Sequence, residues 1–171
     1  HVDLTAPLQV RRGAVVGTSS MRRRRQLEFW QPDLTVEALR GNVPTRIRKL
    51  REGQYDAIML AHAGVHRLGL DLSDLHVHVL DPMIFVPAPA QGALALQMRS
   101  NDPRRAFVAG LTDPNTVRAI DLERSILREL EGGCQLPFGA HVPLEVLADN
   151  GHSDDGSGPA SVHAYLGSPC G

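Results

Sequence analysis

Apolar and polar positions in the first half of the chain repeat one arrangement three times, a short strand pattern followed by a helical one. Gly13-Ala14-Val15-Val16-Gly17 has the unbroken apolar character of a short buried strand. Thr18, Ser19 and Ser20 follow as competent helix caps, so a helix is expected over Met21–Trp30. Pro32-Asp33 makes a turn, and Leu34–Leu39 alternates as a strand until Arg40-Gly41-Asn42 breaks it. A second helix is expected from about Pro44, suited to a first turn, to Arg51, with Gly53 closing it. Asp56–Ala61 reads as a third strand, leading into a short helix around Gly64–Leu68. Three such repeats imply an α/β fold with a parallel sheet and crossover helices.

The pattern changes beyond Asp71. His76–Leu80 and Leu94–Met98 read as strand candidates, separated by a segment punctuated by Pro82, Pro87 and Pro89. A helix is expected over Asn101–Leu111. A longer one starts at Asp113-Pro114 and ends at Glu131, with Val117, Ile120, Leu127 and Leu130 as its apolar stripe. His141–Leu147 and Ser161–Leu166 read as β, with the Gly/Ser/Asp-rich loop Asn150–Gly158 between them. The best single cut between domains falls near Thr112.

Composition narrows the function. The chain has 171 residues, 42% hydrophobic and 22% charged, which is ordinary for a globular protein able to bury a core. Its net charge of −1 argues against a general nucleic-acid binder despite the run Arg22–Arg25. No apolar run approaches the roughly 18 residues of a membrane span, and no basic-then-apolar signal pattern opens the chain. Two cysteines, Cys134 and Cys170, are too few for a disulfide framework or an all-thiolate zinc site. A cytoplasmic, reduced setting is the expectation. His76 and His78 lack a third partner, so no metal site is expected.

Two stretches carry candidate chemistry. In open parallel sheets ligands bind where strands end and helices begin. Thr18, Ser19, Ser20, Arg22 and Arg23 follow the first strand, Arg40 and Arg46 the second, and Arg67 the third. Helix N-terminal amides, hydroxyls and guanidinium groups together form an anion site for a phosphate or a carboxylate. A helix turns about 100° per residue, so one or two of the four consecutive arginines reach that site. Arg24 and Arg25 are expected to face solvent. Arg46, a cation in a first helical turn, opposes the helix dipole unless an anion is bound there. The second stretch is Glu131-Gly132-Gly133-Cys134-Gln135-Leu136-Pro137, where glycines stop a helix and proline prevents its resumption. A thiol placed there is a nucleophile, a cofactor attachment point, or a small turn residue.

Six stretches occur in an order that resembles the porphobilinogen deaminase (hydroxymethylbilane synthase) family. They are Gly17-Thr18-Ser19-Ser20-Met21-Arg22-Arg23, Leu39-Arg40-Gly41-Asn42-Val43-Pro44-Thr45-Arg46, Tyr55-Asp56-Ala57-Ile58-Met59-Leu60-Ala61, Arg67-Leu68-Gly69, Gln91-Gly92-Ala93 and Leu130-Glu131-Gly132-Gly133-Cys134. The resemblance runs from about Gly13 to Gly167. It implies a transferase that joins four porphobilinogen units with loss of ammonia into the linear tetrapyrrole hydroxymethylbilane, a step of haem and porphyrin biosynthesis. The implied cofactor is a dipyrromethane held through a thioether to Cys134. Ser20, Arg22, Arg23 and Arg46 would hold cofactor carboxylates, with Thr18 and Ser19 as further contacts. Arg40, Arg46, Arg67 and Gln91 would line the substrate and elongation sites. The implied partners are porphobilinogen and the growing polypyrrole, with no nucleic acid or membrane, and a monomer is expected.

The implied fold is a periplasmic-binding-protein-like domain with a parallel or mixed sheet, plus a smaller α+β C-terminal domain carrying the cofactor cysteine. Residues 1–82 would be most of the family's second domain. Residues 83–111 would return toward a first domain that is largely absent, and 112–171 would be part of the third. The family's acid–base aspartate lies in a His-Ser-x-Lys-Asp-Leu-Pro stretch. His1-Val2-Asp3-Leu4 lacks its lysine and lies too close to Gly17, so no catalytic role passes to Asp3. The chain by itself is therefore expected to be incomplete and unable to turn over. Two other readings compete with the enzyme: a small-anion binding module of similar fold, and a nucleic-acid contact through Arg22–Arg25. The first would bind normally without Cys134; the second requires strong salt dependence.

Overall fold

The computed structural model describes residues 8–130, 136–144 and 161–168. They fall into two compact units, one from the described parts of His1–Phe85, Gln135–Pro137 and Leu166–Gly171, the other from those of Val86–Cys134 and Phe138–Tyr165. The architecture is mixed α/β with a parallel sheet.

In the first unit, strand β1 (Val15–Gly17) is central, flanked by β2 (Thr35–Glu37) and β3 (Ala57–Ile58) in the order β2-β1-β3. Both pairings are parallel, with Val16 opposite Val36 on one side and Ala57 on the other. Helix α1 (Met21–Trp30) occupies the expected span. Its Ser20 cap accepts the Arg23 N–H, which satisfies a donor the first turn leaves over. Helix α2 (Val43–Arg51) is capped by Asn42 in the same way, with Pro44 in its first turn. Helix α3 (His62–Leu68) ends at Gly69, whose φ of +55° is the left-handed conformation glycine tolerates. The core is Leu8, Ala14, Val16, Leu27, Leu34, Val36 and Phe85.

Both outer strands are shorter than their apolar patterns, Leu34–Leu39 and Asp56–Ala61. The cause is competition for carbonyls at the strand ends. Ala38 O accepts from Tyr55 Oη at 2.9 Å, Leu39 O from Ser19 Oγ at 2.8 Å, and Met59 O from an Arg23 guanidinium nitrogen at 3.2 Å. Side chains of neighbouring loops and of the first turn of α1 take acceptors a longer ladder would have used. His76–Leu80 and Leu94–Met98 form no strand; Val77, Val79, Leu94 and Leu96 are exposed. A strand needs a partner for its backbone groups, and none among the described residues pairs with these segments.

Close packing at the end of β1 gives a direct test. A Cβ added at Gly17 would lie 2.9 Å from the Tyr55 ring and 3.2 Å from Ile58 Cγ2. Gly17→Ala is expected to cost about 1–3 kcal/mol, read as a lower urea midpoint with unchanged slope.

The second unit contains α4 (Arg105–Ala109), α5 (Pro114–Glu129) and a two-stranded sheet of β4 (Phe138–His141) and β5 (His163–Leu166). Helix α4 is shorter than Asn101–Leu111 because Asp102 instead makes a turn, accepting the Arg104 N–H on its carboxylate and the Arg105 N–H on its carbonyl. Strand β4 starts before His141, and positions 145–147 lie outside the described residues. The expected apolar stripe of α5 is displaced. Val117 and Leu130 are exposed, and the buried pair is Ala119 and Glu123, one turn apart. Ala119 packs with Val142, Leu122 and Val162.

Candidate functional site

Because the three strands of the first unit run in parallel, their carboxyl ends lie on one edge of the sheet. Thr18 N–H donates to Glu37 O at 2.8 Å and Met59 N–H to Gly17 O at 3.1 Å, which fastens the loops that leave that edge. The loop after β1 is ordered from within. Thr18 is buried and its Oγ1 accepts the Ser20 N–H at 3.3 Å. Ser19 Oγ donates to Leu39 O, tying this loop to the one after β2. Ser20 Oγ accepts from Arg23 N–H at 3.4 Å, which leaves its own O–H as a donor.

Arg22 and Arg23 follow. Arg22 is 7% exposed, and burial, with Arg23 adding like charge, pushes its guanidinium down to about 10. Arg23 is half-buried; burial first and the nearby Arg46 second hold it below the ordinary guanidinium value. Arg46 Nε donates to Gly41 O at 2.7 Å. Gly41 has φ of +117°, and a Cβ there would meet Thr45 Cγ2 at 2.9 Å, so this approach of loop to helix requires glycine. Arg40 is exposed, and its carbonyl accepts from Lys49 Nζ at 3.4 Å. Arg67 is exposed near the end of α3.

Carboxylate pairing distinguishes several arginines from those near the strand ends. Arg11 pairs with Asp56, Arg12 with Asp33, Arg24 and Arg25 with Glu28, Arg48 with Glu52, Arg51 with Asp74, and Arg104 with Asp102. Among the described residues, no carboxylate lies within ion-pair distance of Arg23, Arg40, Arg46 or Arg67. Like-charged, partly desolvated guanidinium groups without counter-charge raise the energy of the folded chain, and an anion would relieve this. The expectation that Arg24 and Arg25 face solvent is corrected: both are half-buried and held by Glu28.

Gln91 belongs to the second unit, where its exposed side chain follows Ala90 in a turn closed by Gln91 N–H to Ala88 O at 2.9 Å. Cys134 lies outside the described residues, as does Cys170. His76 and His78 are exposed, and His76 Nε2 sits 3.3 Å from Gln9 Oε1. No helix among the described residues is long and apolar enough to cross a membrane.

Sequence reasoning passed over two residues that shape this site. Tyr55 lays its ring on Gly17 and bonds Ala38 O, joining the ends of β1 and β2. Asp56 accepts the Val15 N–H at 2.8 Å and pairs with Arg11, and both contacts hold its carboxyl below the usual carboxylate range. The signal for each was a polar residue beside a glycine-bounded apolar strand.

Fold and geometry together define an α/β protein in which Arg23, Arg40 and Arg46, none with a carboxylate partner among the described residues, follow the carboxyl ends of the first two strands of a parallel sheet. Residues 4–106 match the family model described as "Porphobilinogen deaminase, dipyromethane cofactor binding domain", and residues 117–150 match "Porphobilinogen deaminase, C-terminal domain". The chain is 49% identical over 133 residues to the porphobilinogen deaminase of Syntrophobacter fumaroxidans, covering 77% of this chain and 42% of that protein. It is 46% identical over 160 residues to that of Sulfurimonas denitrificans, covering 94% and 48%. A "probable porphobilinogen deaminase" of Methanosarcina acetivorans is 40% identical over 152 residues, covering 82% and 47%. The chain belongs to the porphobilinogen deaminase family. It spans just under half the length of these relatives.

Proposed function

We propose that this chain serves hydroxymethylbilane synthase chemistry, the condensation of four porphobilinogen units with loss of ammonia, as a monomer in the cytoplasm. The observation that carries this reading is that Arg23, Arg40 and Arg46, close after the strand ends, have no carboxylate partner among the described residues, in a chain of this family. Pyrrole acetate and propionate groups are the anions the family handles, and flexible carboxylates suit guanidinium forks.

The donor chemistry fits a dipyrromethane. Two desolvated arginines, a third beside them and a serine O–H supply cationic and neutral donors to carboxylates. In this reading Ser20, Arg22, Arg23 and Arg46 hold cofactor carboxylates. Thr18 and Ser19, whose hydroxyls already bond within the loop, add contacts and keep it in shape. Arg40, Arg46, Arg67 and Gln91 serve the incoming pyrrole, and Cys134 is the thioether attachment point. The cofactor, when bound, supplies the free pyrrole carbon to which the next unit is joined. The chain's own residues bind and orient carboxylates and replace water around them. No proton-handling aspartate is assigned in this sequence. The periplasmic-binding-protein-like fold of the first unit, the division at 82 and 111, and a smaller C-terminal domain carrying the cofactor cysteine belong to the same proposal.

The test is intact mass with peptide mapping after incubation with porphobilinogen, and separately with preformed hydroxymethylbilane. An adduct of two linked pyrroles on the Cys134 peptide supports the reading. A chain that stays unmodified in both, yet binds small carboxylates, would be the anion-binding module instead.

A further inference from the structure

Glu123 is a charged side chain on the packed face of α5, 6% exposed, where helix packing alone asks for an apolar residue. Both of its oxygens are committed to backbone. Oε2 accepts the Ala90 N–H at 2.6 Å, and Oε1 accepts the Val142 N–H at 2.9 Å. Among the described residues the only ion-pair neighbour is the His141 ring, with Nδ1 3.8 Å from Oε1. A carboxylate so far from water is tolerated only while such N–H bonds are kept, and charge-assisted bonds of this kind are strong.

The segment it holds is in an uncommon conformation. Ala90 has φ of +63°, the left-handed region that costs a residue with a Cβ, and Gly92 has φ of +95°. Gln91 lies between them. The same segment is fastened one turn earlier, where Ala140 N–H donates to Pro87 O at 3.0 Å. Close approach there requires glycine, since a Cβ at Gly139 would sit 2.8 Å from the Val86 and Pro87 carbonyl oxygens. Strand β4, which supplies these contacts, is the first strand after Cys134 in the sequence.

We propose that Glu123 is a positioning residue: its carboxylate clamps Ala90 in the left-handed conformation and thereby sets the direction of Gln91 relative to β4. This rests on the pyrrole-binding role given to Gln91 above. The clamp joins three pieces of the chain, the Gln91 turn, α5 and the residue that follows β4, through one side chain. A glutamine at 123 keeps the volume and one acceptor oxygen, but turns the other position into a donor facing a backbone N–H.

The experiment uses the protein as its gene encodes it, with Glu123→Gln and the double variant Glu123→Gln/Ala90→Gly. Residue-level hydrogen exchange and steady-state kinetics with porphobilinogen are the readouts. In Glu123→Gln, exchange at the Ala90 or Val142 amide rises about tenfold or more. KM for porphobilinogen rises about tenfold while kcat stays within about threefold, the signature of lost binding geometry rather than lost chemistry. Ala90→Gly then restores most of the KM, because glycine takes that φ without the clamp. A merely structural role predicts no such rescue. Protected amides in Glu123→Gln, an unchanged KM, or no recovery in the double variant overturns the proposal. If Glu123→Gln does not fold, Glu123→Asp, too short to span both amides, decides by the same exchange measurement. If the wild type condenses no porphobilinogen, the functional reading fails, and exchange at Ala90 and Val142 still decides the clamp.

Discussion

In the protein as its gene encodes it, Cys134→Ala is expected to carry no pyrrole adduct and to form no linear tetrapyrrole. Its unfolding midpoint should stay within about 2 °C of the unloaded wild type. A thioether needs a sulfur with a lone pair to attack the electrophilic carbon, and a methyl group has none. Thiolates are the nucleophilic form of cysteine, so no neighbouring hydroxyl replaces it at neutral pH. The stability half of the expectation rests on the helix before the cysteine. Helix α5 ends at Glu129, and Leu130 N–H bonds Ile126 O at 3.2 Å, a closure that owes nothing to the thiol. Asp113 caps the other end by accepting the Thr116 N–H at 2.7 Å. Intact mass, a product assay with porphobilinogen and calorimetry on the unloaded proteins check the three parts. An adduct persisting in Cys134→Ala would place the attachment elsewhere. A collapse in stability would make Cys134 a packing residue, the plainest of the three roles the sequence left open.

The helices were legible because their signals are local. Ser20 with Met21–Trp30, and Asn42 with Pro44, are caps and first turns readable over a few residues, and α1 falls where its pattern placed it. Strand lengths were not legible, because a strand ends where its carbonyls find other donors. Tyr55, Ser19 and Arg23 are those donors here, and each comes from elsewhere in the chain. Leu94–Met98 shows the same limit from the other side. Its alternation fits a strand, but pairing is a property of two segments, and none of the described ones meets it. The stripe on α5 misled because Val117 and Leu130 suit helical spacing as well as Ala119 does, and only the packing of Val142 distinguishes them.

The arginine site was legible as a set of residues but not as an arrangement. One further signal was available. Arg24 and Arg25 have Glu28 four and three residues ahead, and Arg48 has Glu52 four ahead, as helical ion pairs require. Arg22, Arg23 and Arg46 have no acidic residue three or four positions away in either direction. That spacing separates Arg23 from Arg24 and Arg25, which Glu28 holds. Glu123 had the reverse signal, an acidic residue one turn from Ala119 on the packed row, visible only once that row was known.

Arg23→Gln is the substitution expected to damage carboxylate binding most without damaging the fold. Arg23 is half-buried, lies close enough to Arg46 to be depressed by it, and has no carboxylate partner among the described residues. Its guanidinium donates to Met59 O at 3.2 Å. Removing the charge therefore relieves repulsion in the unloaded chain, at the loss of one hydrogen bond. With a carboxylate bound, the same change deletes a charge-assisted contact in a partly desolvated setting, worth about 2–3 kcal/mol. Loading from preformed hydroxymethylbilane should slow by about 30- to 100-fold at limiting concentration, whereas the unloaded midpoint stays within about 3 °C of wild type. Arg24→Gln is the control, one position along the same helix. Its guanidinium already faces Glu28 at 3.7 Å, so loading should change by less than about twofold. Loading rates followed by intact mass, beside thermal unfolding of each unloaded protein, separate the outcomes. Equal losses in both variants would mean that the helix carries a diffuse positive field. A loss confined to Arg23→Gln would mean that pairing with Glu28, absent at Arg23, decides which arginine meets the ligand.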